Sequence, residues 1–96
     1  MDDYDEMDDV EYPINGELDL HLFNPRDVKD LVLEYIRACI EKEIFQIRIV
    51  HGKGKGVLRK TVHAILDKHD DVESYWHESG AGSWGATLVK LIDKSS

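Results

Sequence analysis

The chain has 96 residues, 42% of them hydrophobic and 33% charged, with a formal net charge of -8. That length supports one compact domain with a single core and leaves no room for a second. No apolar run approaches the roughly 20 residues of a membrane span, and the opening MDDYDEMDD is not the basic-then-apolar start of a secretion signal, so a soluble cytoplasmic protein is expected.

The net charge is unevenly spread. Residues 1–11 carry seven acids (Asp2, Asp3, Asp5, Glu6, Asp8, Asp9 and Glu11) and no base, which leaves 12 Lys and Arg against 13 acids in the rest of the chain. So acidic a run buries too little apolar surface to offset its ordering entropy, and residues 1–13 are expected to be a disordered tail preceding a folded domain at 14–96. Such a tail confers solubility. In a sharper reading it lies over a basic site and competes with nucleic acid.

After the turn-like Ile14-Asn15-Gly16, Glu17 to Leu22 alternates strictly between polar and apolar, which predicts a strand with Leu18, Leu20 and Leu22 inward. Asn24-Pro25 reads as a helix N-cap followed by proline at the first helical position. Val28, Leu31, Val32, Tyr35, Ile36, Cys39 and Ile40 recur three and four apart, predicting a helix from 25 to about 43. Cys39, the lone cysteine, falls on that apolar stripe as a small buried hydrophobe, and it excludes an internal disulfide.

Residues 44–50, rich in β-branched and aromatic side chains, predict a second strand, ending at His51-Gly52-Lys53-Gly54-Lys55-Gly56. A second helix is expected from Val57 to about Lys68, with Leu58, Val62, Ile65 and Leu66 inward and Arg59, Lys60 and His63 outward. Val72–His77 reads as a third strand, Ser79–Ser83 as a glycine-rich turn and Trp84–Ile92 as a fourth strand. The order β-α-β-α-β-β implies an α/β fold whose strand-helix-strand units cross over right-handedly, with both helices on one face of the sheet. In parallel neighbours the carboxyl ends of the first two strands share an edge, where ligands of open α/β sheets bind, and His21 and His51 both fall there.

The loop of residues 51–56 is the strongest local signal. It joins a strand to a helix N-terminus, and with Arg59 and Lys60 it places four bases and no acid between residues 51 and 60. Backbone amides, the helix dipole and lysines all favour an anion at such a place, although a merely solvated loop is the bland alternative. The Walker pattern is absent and the evenly spaced Gly52, Gly54 and Gly56 do not meet GxGxxG, so an ATPase or dinucleotide enzyme is disfavoured and a polymer backbone is the better phosphate. Asp19 and His21, two apart on the first strand, are expected to share a face, where a carboxylate orients or charge-stabilises an imidazole that carries a proton during attack at phosphorus. Any half-buried strand also puts polar residues at alternate positions, which is the competing explanation. Trp84, at the final turn, is placed either to stack on an unpaired base or simply to close the hairpin. His63, His69 and His77 read as ordinary surface or edge histidines. No set of His, Cys, Asp and Glu has the spacing of a structural zinc site, and a divalent metal ion stays optional as a cofactor.

Leu18-Asp19-Leu20-His21 and His51-Gly52-Lys53-Gly54 resemble the paired LDLH and HGKG signatures of Smr (small MutS-related) domains, and the resemblance extends over roughly residues 17–92. It implies a two-layer α/β sandwich with a mixed four-stranded sheet and two helices, similar to the C-terminal domain of translation initiation factor three. It also implies an endonuclease that nicks or cleaves DNA or RNA, with some members acting on messenger RNA at stalled ribosomes. Carried onto this sequence, Asp19 and His21 become the catalytic candidates. His51, Gly52, Lys53 and Gly54 become the nucleic-acid contact loop, which Lys55, Gly56, Arg59, Lys60 and Trp84 extend. Leu22 stands where the family usually has glycine after LDLH, and nothing resembles the ATPase or clamp parts of MutS. Two functions follow: a nuclease, which needs both motifs, and a non-catalytic RNA- or ribosome-binding module, which needs only the second. A protein-interaction domain using the open sheet face is the remaining alternative.

Overall fold

The structure, a computed structural model, describes residues 14–52, 56–78 and 85–94, with Leu22 by its backbone alone. The acidic tail, Lys53, Gly54, Lys55, the turn at 79–83 and Trp84 lie outside the described residues. Four strands, β1 (Glu17–Asp19), β2 (Gln46–Val50), β3 (Val72–His77) and β4 (Ala86–Leu91), form one mixed sheet in the order β1-β2-β4-β3. Two helices, α1 (Val28–Glu41) and α2 (Val57–Lys68), complete the α/β architecture. β1 is parallel to β2, and β4 is antiparallel to both β2 and β3. The final hairpin thus inserts its second strand between β2 and β3, so the crossover through α2 skips one position.

The apolar periodicities explain the layers. Val28, Leu31, Val32, Tyr35, Ile36 and Cys39 of α1 are all buried, as are Val62 and Leu66 of α2. They meet Leu18, Ile47, Ile49, Val89 and Leu91 in one core, with α1 and α2 in mutual contact on the same face of the sheet. On the opposite face Arg48 donates to both carboxylate oxygens of Glu78 at 2.9 Å and to Glu17 at 2.6 Å, linking β1, β2 and the end of β3. Exposed ion pairs of this kind contribute only about 0–1 kcal/mol each. Among the described residues no helix is long and apolar enough to cross a membrane.

The second and fourth strands are shorter than the sequence expectation, at Gln46–Val50 and Ala86–Leu91, and two further ends differ in a way that shapes the site or the helix. The first strand stops at Asp19 rather than running to Leu22. The Asp19 carboxylate accepts from the His21 amide at 2.9 Å, and Leu20–Leu22 turn as a 3-10 helix. A short polar side chain has here offered the backbone an alternative to the strand ladder. The second difference lies around the first helix. Asn24 caps a 3-10 turn at Pro25–Asp27 by accepting from the Arg26 amide, and α1 begins only at Val28. At the far end, Ile44 N donates to Cys39 O and Glu43 N to Ile40 O, with Glu43 at φ 62. This is the Schellman arrangement, in which the left-handed position usually belongs to glycine.

Glutamate at that position carries a Cβ penalty and puts a negative charge beside the negative end of the helix dipole. Glu43→Gly is therefore expected to stabilise the chain by roughly 0.5–1 kcal/mol, seen as a rise of a few degrees in Tm. An unchanged or lower Tm would show that the strained turn costs nothing.

Candidate active site

Parallel pairing of β1 and β2 brings their carboxyl ends to one rim. The turn after β1 delivers His21 there, and the end of β2 delivers His51 and Gly52. Asp19 and His21 meet, but through the 3-10 turn and not through strand alternation. Asp19 Oδ1 lies 3.1 Å from His21 Nδ1 while also accepting from the His21 amide. A carboxylate oxygen can only accept, so Nδ1 carries a proton, and in the neutral ring Nε2 keeps its lone pair. Both side chains remain about half exposed, at 57% for His21 and 45% for Asp19.

Nε2 looks onto Gly52. A Cβ built on Gly52 would overlap it, and Gly52 has φ +85, so both the ring's position and the backbone conformation require glycine. Gly52 is itself held by a second glycine. The Gly85 carbonyl accepts from the amides of His51 at 2.7 Å and Gly52 at 2.9 Å. A Cβ on Gly85 would stand 3.0 Å from the Gly52 Cα. Gly85 has no counterpart among the sequence-derived candidates, although its place just before the strand 86–91 marks it as a point of close backbone approach.

Across the rim, Gly56 precedes α2 in a left-handed conformation and offers no capping side chain, so the first turn of the helix has amides to spare. Arg59 reaches back over Gly56: a Cβ there would lie 3.5 Å from the Arg59 guanidinium. Among the described residues no carboxylate pairs with Arg59. His21, His51, Gly52, Gly56, Val57, Leu58 and Arg59 line a cleft of about 260 Å3. Lys60 is exposed on the same helix but is not among the lining residues. Among the described residues no three His, Cys, Asp or Glu side chains gather as a metal site.

Below the cleft the structure departs from expectation. His51 is only 4% exposed; its Nδ1 lies 3.1 Å from the Gly52 carbonyl and its Nε2 2.9 Å from Thr87 Oγ1. Its ring therefore faces the interior instead of reaching outward. His63 points inward too. Its Nε2 is 2.9 Å from the same Thr87 hydroxyl, and its ring packs 4.8 Å from Tyr75 and 5.5 Å from His77. The expectation of an outward His63 fails because α2 packs against β3 and the His63 ring finds a polar partner inside, the Thr87 hydroxyl on β4. Thr87 was invisible to motif reasoning. The one signal was its place two residues before Val89 on the inward face of β4.

Burial lowers the affinity of His51 for a proton, and the positive Arg59, with His77 and His21, adds to this against the opposing pull of the Gly52 carbonyl. Burial likewise depresses His63, helped by His77, His51 and Arg59 and opposed by Asp67. A histidine that binds its proton less well when folded contributes stability that is complete above its unfolded value, near 6.5, and is lost as the pH falls toward the folded one. Tm is expected to drop between about pH 7.5 and about pH 5.5, and less steeply in His63→Gln than in wild type. Parallel curves would mean that the ring charges as freely in the fold as out of it. Gly52→Ala is expected to cost about 1–2 kcal/mol through its left-handed φ and to displace the His21 ring, read as a shifted His21 resonance by NMR. An unmoved resonance would count against the contact.

Comparisons with known proteins show the family and the fold. The Smr domain family model matches residues 18–92. The endonuclease MutS2 of Gemmatimonas aurantiaca is 36% identical over 77 residues, covering 76% of this chain and 9% of that protein. The putative endonuclease MutS2 of Bacillus subtilis is 34% identical over 82 residues, 84% of this chain and 10% of that protein. The chain thus spans about a tenth of the length of these curated relatives. Among solved structures, the Smr domain of Thermus thermophilus MutS2 superposes with a TM-score of 0.72 at 26% identity, covering 81% of this chain and 99% of that one. YdaL, a stand-alone small MutS-related protein from Escherichia coli, also gives a TM-score of 0.72 at 26% identity, covering 91% of this chain and 72% of that one.

Proposed function

The chain belongs to the Smr domain family, and from that premise we propose that it binds DNA or RNA at the rim cleft and cleaves the phosphodiester held there. The observation that carries this reading is the His21 imidazole itself. Asp19 holds its Nδ1–H, leaving Nε2 as a base directed at Gly52 beside an arginine and a helix N-terminus. A phosphate seated between Gly52 and Gly56 would meet the first-turn amides of α2 and the Arg59 guanidinium, which offset charge building on its oxygens. His21 Nε2 takes the proton of the attacking hydroxyl or water, and Asp19 stabilises the imidazolium that results. Lys53 and Lys55, between Gly52 and Gly56 in sequence, and Lys60 on α2 add sequence-independent attraction for the backbone, with Trp84 a candidate platform for an unpaired base. His51 contributes from beneath, holding Gly52 rather than touching the strand. MutS2 proteins carry the name endonuclease, and the likeness to them supports this reading.

The test is cleavage of labelled single- and double-stranded RNA and DNA, with and without a divalent metal. His21→Ala is expected to bind like wild type and cut roughly a hundred- to ten-thousand-fold more slowly. Arg59→Ala is expected to bind more weakly and to reduce the salt slope of binding by about one. If wild type binds every substrate and cuts none, the nuclease assignment fails and a ribosome- or RNA-binding module stands in its place. If Arg59→Ala changes neither affinity nor salt slope, the cleft is not where phosphate binds.

A further inference from the structure

Among the described residues the buried polar side chains are His51, at 4% exposure, and Thr87, at 0%, and each is the other's partner. The roles in their chain are set from one end. The Gly52 carbonyl can only accept, so His51 Nδ1 donates to it; neutral His51 must then accept at Nε2 from the Thr87 hydroxyl. Thr87 Oγ1, its proton committed, accepts in turn from His63 Nε2–H. The same three groups support a second arrangement. If His51 is protonated, its Nε2–H donates to Thr87 Oγ1, the Thr87 hydroxyl donates to His63 Nε2, and His63 carries its proton on Nδ1. Every bond in the chain is kept: the two at Thr87 reverse direction, while His51 Nδ1 still donates to the Gly52 carbonyl. A hydroxyl makes this reversal possible because it both donates and accepts.

We infer that Thr87 and His63 belong to the phosphate site, as a reversible hydrogen-bond chain through which His51 takes up one proton when a phosphodiester enters the cleft. The inference rests on the proposed binding of nucleic acid at the rim. The proton balance is simple. One proton from solvent joins His63 at Nδ1, which has no partner among the described residues. The His63 Nε2 proton passes to Thr87 Oγ1, the Thr87 proton passes to His51 Nε2, and His51 gains one positive charge.

The field around His51 decides when this happens. Facing it are His21 from the turn after β1, Arg59 and His63 from α2, and His77 from β3. Facing His63 there are also Asp67, on its own helix, and Tyr75 from β3, whose hydroxyl is bonded to Asp67. With the cleft empty, burial disfavours the charged form of His51, and the Arg59 charge adds to this. An incoming phosphate cancels the Arg59 field and sets a negative charge in a cleft that His51 itself lines. The imidazolium then lies under the anion and strengthens its hold.

The experiment uses the full chain and a short single-stranded RNA with no terminal phosphate, so that the probe does not titrate. Calorimetry in two buffers of different ionisation enthalpy counts the protons taken up on binding, and NMR of the imidazole nitrogens reports which ring receives them. Wild type is expected to take up a proton at His51, singly protonated on Nδ1 when free and doubly protonated when bound. Below about pH 7 its affinity is expected to rise more steeply than that of Thr87→Val, by up to roughly tenfold per pH unit, with Thr87→Ser restoring the wild-type slope. If RNA binds, Arg59→Ala weakens it, and His51 nonetheless stays neutral, the relay is overturned while the cleft stands. If Arg59→Ala binds as wild type does, or no RNA binds, the cleft reading is overturned and the relay with it.

Discussion

The Gly85 carbonyl, shared between the amides of His51 and Gly52, is the contact on which the rim depends. It draws the start of β4 against the end of β2 so closely that a single methyl group at position 85 would crowd the Gly52 backbone. His51 continues the inward series of Ile47 and Ile49 along β2, so its ring turns into the interior. Gly52, with no side chain, leaves its backbone open, and the His21 imidazole lies directly upon it. Strand alternation thus sets one histidine inside the rim, and a bare glycine backbone admits another on top of it.

Placing an imidazole inside the domain has a cost that its partners must offset. A buried polar group without a hydrogen bond is destabilising by about 1–3 kcal/mol on mutational scales, and a buried charge by more. Thr87 satisfies His51, and His63 satisfies the remaining capacity of Thr87. The chain runs from a half-buried ring on α2, through a fully buried hydroxyl on β4, to the loop that starts the cleft. It therefore ties together three elements that the hydrophobic core alone would leave free to slide, since apolar contacts carry little directional preference.

Charge is partitioned between the two sides of the sheet. On the open face Arg48 is held by two carboxylates, which leaves it little to offer a polyanion. At the rim Arg59 has no carboxylate partner among the described residues and stands beside uncapped helix amides. An acidic chain can in this way present one locally positive cleft, and a phosphate backbone would find its attraction there and not across the sheet.

Much of this was legible in the chain itself. The helix from Val57 to Lys68, the six-residue strand ending at His77 and the apolar stripe of α1 follow from periodicity, because burying one face of an element leaves its spacing in the sequence. The paired motifs point to Asp19, His21, His51 and Gly52, which meet at the rim. What tertiary structure alone decided was of another kind. Periodicity says that a residue faces something without saying what, so it could not place β4 between β2 and β3 or turn His63 toward Thr87. A carboxylate competing for a nearby amide ended β1 at Asp19, and the demands of the Cys39 and Ile40 carbonyls put Glu43 in a conformation its own side chain resists. Those outcomes depend on hydrogen bonds between specific atoms, and a residue alphabet records the atoms without recording which of them will meet.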